Sequence, residues 1–165
     1  MSRKTKNPRQ CQPCTACCDG WVRINVSGFE ASPGHPCPFS TGTGCSDYEN
    51  RPEMPCRQFQ CGWVQEGSPL PEWMRPDKAK VMVLPDSRRW NGLPVDVAVP
   101  VGKRIPPRAL NWLKQFAEKH GRPLIYLEHV VENGVYSDQP EVVGYGPPAF
   151  QQDVEKMIER GEKLW

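Results

Sequence analysis

Eight cysteines crowd into the first part of this 165-residue chain. Four of them lie in the stretch CQPCTACC, where Cys11, Cys14 and Cys17 recur at every third position and Cys18 follows directly. The other four, in a Pro- and Gly-rich context, are Cys37, Cys45, Cys56 and Cys61. Large apolar residues are few in this stretch, so burial alone cannot offset the entropy lost on ordering it. The segment therefore needs disulfides or metal ions to hold it together.

The first ten residues bear on the choice between disulfides and metal. MSRKTKNPRQ (1–10) is basic and no apolar run follows it, so we expect a flexible basic tail and not a secretory signal. A cytoplasmic protein is the resulting expectation, and clustered thiols in a reducing cytosol more often hold metal than form disulfides. Four disulfides remain the alternative for a secreted chain. No segment is long and apolar enough to cross a bilayer, so no membrane partner is expected.

The spacing of the thiols limits the kinds of metal site that they could form, but it does not identify the metal. Cys11, Cys14 and Cys17 resemble the tight loop that offers three thiolates to an iron–sulfur cluster, with a fourth ligand from elsewhere. Cys18 follows Cys17 directly, whereas the bacterial ferredoxin run has three residues before its fourth Cys. Adjacent side chains of an extended segment point to opposite faces, so Cys17 and Cys18 either serve two sites or form one ligand beside one packed thiol.

Zinc or iron is the expected cofactor, and the metal ion is the expected partner. Eight thiols permit two zinc sites of four thiolates each, one 4Fe–4S cluster with spare thiols, or a cluster beside a mononuclear metal. The leading interpretation is a metal-binding protein that chelates zinc or iron. The alternative is an iron–sulfur redox enzyme or electron carrier that uses Cys11, Cys14 and Cys17 with Cys56 or Cys61. The candidate metal ligands are Cys11, Cys14, Cys17, Cys18, Cys37, Cys45, Cys56 and Cys61.

Residues 77–165 have the pattern of an α+β protein. KVMVL (80–84), VDVAV (95–99) and PLIYLEHVV (123–131) are typical of strands, and Asn-Gly pairs at 91–92 and 133–134 indicate hairpin turns. Helices are predicted from Pro106-Pro107 to His120 and from Phe150 to about Gly161. In the first part only WVRINV (21–26) alternates like a strand.

The predicted α+β fold thus has two parts. A small, loop-dominated, Cys-rich module is held together by metal and is joined to an antiparallel-sheet portion with two helices. Its divisions are a tail (1–10), the Cys-rich metal-binding module (11–76) and the α+β portion (77–165), the last two being either separate or one compact domain. The formal charge of +2 and the lack of a basic stripe argue against nucleic acid, despite Arg88-Arg89-Trp90. No pattern indicates a catalytic residue.

Two further kinds of residue could complete a metal site. His35 could join three thiolates as the fourth ligand of a mixed zinc site, although an exposed loop imidazole is the simpler interpretation. Arg51 and Arg57 could offset the negative charge of the thiolates or donate hydrogen bonds to sulfur. Surface loop arginines are an equally good interpretation of that pair.

The Cys-rich part resembles a known family. CQPCTACC, then PCPF, GCSDYENRPEMPCRQFQC and LPEWMRP are similar to the YkgJ-type CxxCxxCC family, described as a zinc- or iron-chelating domain. The eight cysteines carry the match over residues 11 to about 76, with Tyr48, Arg51, Pro52, Arg57 and Phe59 around them. Ser46-Asp47-Tyr48 departs from the family, which usually has one apolar residue and then Tyr. The resemblance implies metal binding and implies no particular reaction, although some relatives are labelled iron–sulfur oxidoreductases.

Overall fold

The structure is a computed structural model that describes residues 9–164. Residues 1–8 of the predicted tail, and Trp165, lie outside the described residues. The strands are β1 (Ile24–Val26), β2 (Phe29–Ala31), β3 (Val81–Trp90), β4 (Leu93–Pro100), β5 (Leu124–Glu128), β6 (Val131–Glu132), β7 (Val135–Tyr136) and β8 (Glu141–Tyr145). The helices are α1 (Pro76–Ala79), α2 (Pro107–His120) and α3 (Pro148–Glu159). The predicted α+β class is confirmed.

The main sheet has four strands in the order β3-β4-β5-β8. Its outer pairs are antiparallel, but β4 and β5 run parallel, so the sheet is mixed. The expectation of an antiparallel sheet is therefore corrected for the central pair. The physical reason is α2, which carries the chain from the end of β4 back to the start of β5, the crossover that parallel pairing needs.

Local turn and cap signals in the second half give the expected elements. Asn91-Gly92 and Asn133-Gly134 both have positive φ at their two central residues, as tight hairpin turns require. Helix α2 starts with Pro107 at its first position and ends before Gly121 in the left-handed region. β3 continues to Trp90, beyond the predicted KVMVL, with a register shift between Leu84 and Arg88. Helix α3 ends at Glu159, close to the expected end.

Two buried clusters lie at the main sheet. The first joins strands β3, β4 and β5 to α2, and it also includes three residues of the Cys-rich part, Trp63, Leu70 and Met74. The second joins the sheet to α3 and to Leu164, which follows that helix. The Cys-rich part thus contributes side chains to a core that it shares with the sheet, while the predicted division after residue 76 stays a prediction.

The Cys-rich part itself is built from short hairpins and turns. Of the predicted strand 21–26 only β1 pairs, with β2. Trp21 instead contacts the rings of His129 and Tyr136, at centroid distances of 5.5 and 5.3 Å, and Arg23 donates to Asp138 at 2.7 Å. The first residues of the predicted strand therefore attach to the sheet portion and do not continue the ladder. None of the helices in the described part of the chain combines the length and apolar character needed to cross a membrane.

Candidate metal site

One cavity of about 290 Å³ brings all the cysteines together. Its walls include the eight predicted ligands, Cys11, Cys14, Cys17, Cys18, Cys37, Cys45, Cys56 and Cys61. Met82 of β3 and Trp63 close it on the side of the sheet. Cysteines that lie up to fifty positions apart in sequence therefore face a common space. Within residues 9–164, however, no three His, Cys, Asp or Glu side chains already form a group that could hold a metal ion.

Arg9 fixes the start of the CQPCTACC stretch. Its guanidinium donates to the carbonyl oxygens of Trp63 at 2.8 Å and Leu70 at 2.7 Å, and it lies 4.6 Å from the centre of the Trp63 ring. It also pairs with Glu72 at 3.0 Å. These contacts hold residues 9–11 against the loop that carries Cys61. Sequence reasoning missed this residue because it falls in the stretch predicted as a tail.

The Cys61 loop is in turn fixed on the edge strand of the sheet. The N–H of Gly62 donates to the carbonyl of Val83 in β3 at 2.6 Å. A Cβ at residue 62 would lie 3.0 Å from the same oxygen and 3.2 Å from the ring of Pro85. Only glycine permits this approach without displacement. The position of Cys61 is thus set by the sheet.

Cys18, Cys37 and Cys56 meet at the β1–β2 hairpin. The N–H of Cys37 donates to the carbonyl of Cys18 at 2.7 Å. The side chains of Cys18 and Cys56 pack with Cys37 around Val26 and Ala31. The loop after Cys37 then returns through a bridge between Ser40 and Cys45. Cys45 is thereby carried back toward Cys37.

Asp19 joins two cysteine-bearing segments of the chain through hydrogen bonds. Its carboxylate accepts a hydrogen bond from the Thr15 hydroxyl at 2.7 Å and from the Ser40 hydroxyl at 2.9 Å. Thr15 belongs to the CQPCTACC stretch and Ser40 to the loop between Cys37 and Cys45. Hydrogen bonds to an ionised acceptor are stronger than neutral ones, so this residue stabilises the cavity wall. No sequence motif marked it in advance.

The thiols differ in acidity because their surroundings differ. Cys17 and Cys18 have sulfur atoms 4.0 Å apart. A hydrogen bond from Cys17 lowers the pKa of Cys18 to about 7, and the same contact, together with burial, raises the pKa of Cys17. One thiolate therefore forms readily at this pair, which is the form that binds metal.

Backbone N–H groups point at two of the sulfur atoms. Burial raises the pKa of Cys61, and the N–H groups of Val64 and Trp63 oppose that shift. Burial likewise raises the pKa of Cys14, against N–H groups of Ala16 and Asp77. Such donors stabilise a thiolate once it has formed, because a hydrogen bond to the charged form favours that form. Burial remains the larger effect at both Cys14 and Cys61, and the backbone donors only reduce it.

Arg51 places a half-buried positive charge at the cavity wall. Its guanidinium lies 3.5 Å from the centre of the Tyr48 ring, and its Nε has no hydrogen-bond partner among the described residues. Arg57 differs, since it donates to the carbonyls of Glu49 and Arg51 outside the cavity. Of the two predicted arginines, only Arg51 lies among the thiols.

The remaining candidates lie elsewhere. His35 is exposed and does not line the cavity. Trp90 donates to Asp153 at 2.7 Å and packs against Phe150, and Arg88 contacts Met157, so this stretch supports the C-terminal helix. Comparisons of the chain with protein-family models, with curated proteins and with solved structures found no match.

Proposed function

We propose that this chain is a metal-binding protein that holds zinc or iron through cysteine thiolates at the common cavity. The observation that carries the proposal is the convergence of all eight cysteines on one cavity. Cysteine is a small apolar residue when it only packs, and packing alone does not require eight of them to face one space. Clustered thiols are the expected ligands of zinc or of an iron–sulfur cluster.

The donor set and its surroundings fit such a metal. Thiolates are negative, and a divalent metal with four of them remains negative overall. Arg51 offers a compensating charge and a buried N–H without a partner at the cavity wall. Buried donors are nearly always paired in folded proteins, so this orphan Nε–H is explained if a metal-bound sulfur accepts its hydrogen bond.

The resemblance to the YkgJ-type CxxCxxCC family supports the same proposal. Most residues that carry this resemblance line the cavity, namely the eight cysteines with Tyr48, Arg51, Pro52 and Phe59 but not Arg57. The bound metal would also replace part of the missing apolar core in residues 11–61. Metal–thiolate bonds stabilise small domains in this way.

Elemental analysis of anaerobically purified protein tests the proposal. We expect zinc or iron at a fixed ratio to the chain, and loss of that metal when cavity cysteines are changed to serine. His35→Ala is the matched control and should leave the metal content unchanged, because that imidazole lies outside the cavity. Protein without stoichiometric metal, or metal that persists in a variant lacking all eight cysteines, would contradict the proposal.

The same preparation separates zinc from the iron–sulfur alternative. A colourless protein with zinc and no acid-labile sulfide would exclude a redox cluster. Brown protein with iron and sulfide in equal amounts would instead favour an electron carrier or redox enzyme.

A further inference from the structure

We propose that the eight cysteines form two separate four-thiolate sites whose boundary falls between the neighbours Cys17 and Cys18. The first site consists of Cys11, Cys14, Cys17 and Cys61. The second consists of Cys18, Cys37, Cys45 and Cys56. This inference rests on the proposed metal binding and specifies how the thiols divide.

The second set is held together by the β1–β2 hairpin. Cys18, Cys37 and Cys56 share one apolar cluster with Val26 and Ala31. The hydrogen bond from Cys37 N–H to the Cys18 carbonyl fixes two of them side by side.

Cys45 reaches this set through the intervening loop. The N–H of Ser40 donates to the carbonyl of Cys37 at 2.9 Å, and that of Ser46 to the carbonyl of Phe39 at 2.8 Å. These bonds hold the two ends of the loop between residues 37 and 46 close together. The bridge between Ser40 and Cys45 completes the loop and brings Cys45 back toward Cys37. The second set is therefore carried by the hairpin and by the loop that follows Cys37.

The first set is assembled against the sheet. Cys61 packs against the buried cluster that contains Trp63 and α2, and not against the hairpin cluster. Arg9 holds the start of the CQPCTACC stretch on the backbone of Trp63 and Leu70. The N–H of Cys14 donates to the carbonyl of Cys11 at 2.7 Å. This bond closes a tight turn that contains both residues.

The packing of the thiols agrees with this assignment. Cys18, Cys37 and Cys56 pack in the cluster of the β1–β2 hairpin, whereas Cys61 packs against the cluster that contains Trp63. The two sets meet at Cys17 and Cys18, whose sulfur atoms lie 4.0 Å apart. The boundary between the sites therefore falls between these two neighbouring residues.

Arg51 lines the cavity that the two sets share. Its Nε is buried there and has no hydrogen-bond partner among residues 9–164. Two negative sites that share a wall repel each other, and a cation between them reduces that repulsion. The half-buried guanidinium of Arg51 at this wall thus fits a paired arrangement.

Four double variants test the division with matched controls. Cys17→Ser/Cys61→Ser and Cys18→Ser/Cys56→Ser each remove two thiols of one proposed site. Cys18→Ser/Cys61→Ser and Cys17→Ser/Cys56→Ser remove one thiol from each site. Within each matched pair, the variants differ only in which of two adjacent residues is changed. Cobalt(II) is the probe, because its absorption spectrum reports the number bound and a tetrahedral four-thiolate environment.

The proposal predicts about two cobalt ions for the wild-type chain and about one for each variant changed within a site. That remaining ion should keep the four-thiolate spectrum. The two variants changed across sites should lose both four-thiolate signals, since neither site keeps its full set of ligands.

Three results would overturn the division. One is equal loss in all four variants, as expected if the thiols form a single polynuclear site. Another is the reverse pattern, in which the variants changed across sites retain the four-thiolate signal. The third is a wild-type chain that binds one metal ion, with this binding abolished by only one of the two variants changed within a site. A wild-type chain that binds no cobalt at all would instead refute the proposed function itself.

Discussion

Arg51 and Arg57 show how much a single side chain depends on its surroundings. Both carry the same charge and lie six positions apart, but only Arg51 faces the thiols. Arg57 uses its donors on the carbonyls of Glu49 and Arg51. The sequence placed both arginines near the cysteines. Only the direction of each side chain, which depends on the irregular turn Glu53–Arg57, distinguishes their roles.

We expect Arg51→Gln to weaken metal binding. The change removes a half-buried charge and the buried, unpartnered Nε–H at the cavity wall. Loss of such an outer partner of a metal ligand lowers metal affinity by about 10- to 100-fold. Competition with a chromophoric chelator measures this affinity directly.

Arg160→Gln is the control for Arg51→Gln. It makes the same chemical change at an exposed ion pair with Glu162, far along the chain from the thiols. Equal metal affinity of the two variants and the wild type would show that Arg51 does not act on the bound metal.

The elements of the second half were predictable because their signals are local. Pro107 and Gly121 delimit α2, and the two Asn-Gly pairs form the hairpin turns. The parallel pairing of β4 and β5 was not predictable from the same signals, since it depends on where α2 packs. The loss of strand structure at Trp21 and Arg23 has a similar cause, because their partners His129 and Asp138 lie more than a hundred residues away.

At the scale of elements, the contact between the Cys61 loop and β3 gives a prediction. Gly62→Val would place a branched side chain against the Val83 carbonyl and Pro85. Overpacking of this kind costs about 1–3 kcal/mol, and it should also move Cys61 and lower the metal content. Urea unfolding followed by elemental analysis checks both effects. Gln60→Val, at an exposed position of the same loop, should cause neither.

At the scale of the molecule, an aromatic contact joins the Cys-rich part to the sheet portion. Trp21 packs on His129 and Tyr136, and Arg23 pairs with Asp138 nearby. His129 is only 6% exposed and its Nε2 has no partner among residues 9–164. Protonation of this imidazole therefore opposes the packing that holds the two parts together.

This contact predicts a pH dependence of stability. Burial lowers the pKa of His129 below its usual 6.5, Arg23 acts in the same direction, and a hydrogen bond with Pro100 opposes them. The unfolded chain then takes up a proton before the folded chain does. The contribution of His129 to stability is therefore fully present above about pH 6.5 and is lost as the pH falls through the lowered value.

Chemical denaturation at several pH values measures the effect. His129→Phe keeps an aromatic ring at the contact and should flatten the stability profile below about pH 6.5. His120→Gln, at the exposed end of α2, should leave the profile unchanged. The interpretation fails if the wild-type chain and His129→Phe lose stability equally over that range.

Metal removal should affect the two parts of the chain differently. Residues 11–61 contain few of the buried apolar residues, whereas β3, β4, β5 and α2 form the shared core. Without metal we expect hydrogen exchange to accelerate in residues 11–61 and to stay slow in the central strands, with recovery when metal is restored. Unchanged exchange in residues 11–61 after complete metal removal would show that the metal does not stabilise this part.

The candidate site was predictable as a set of residues but not as an arrangement. Cysteine spacing identified all eight lining thiols, because clustered thiols have a limited chemistry. The partners that position them were missed, since Arg9 acts across 54 and 61 residues and Asp19 across 21. Such contacts carry no signal in a local pattern. They become visible only when the loops are folded against the sheet.

X-ray absorption at the edge of the bound metal is the most direct test of thiolate coordination. We expect a first shell of sulfur only, about four atoms per metal, at about 2.3 Å if the metal is zinc. The same shell is expected in His35→Ala. A first shell dominated by nitrogen or oxygen would contradict the claim that the cysteines hold the metal.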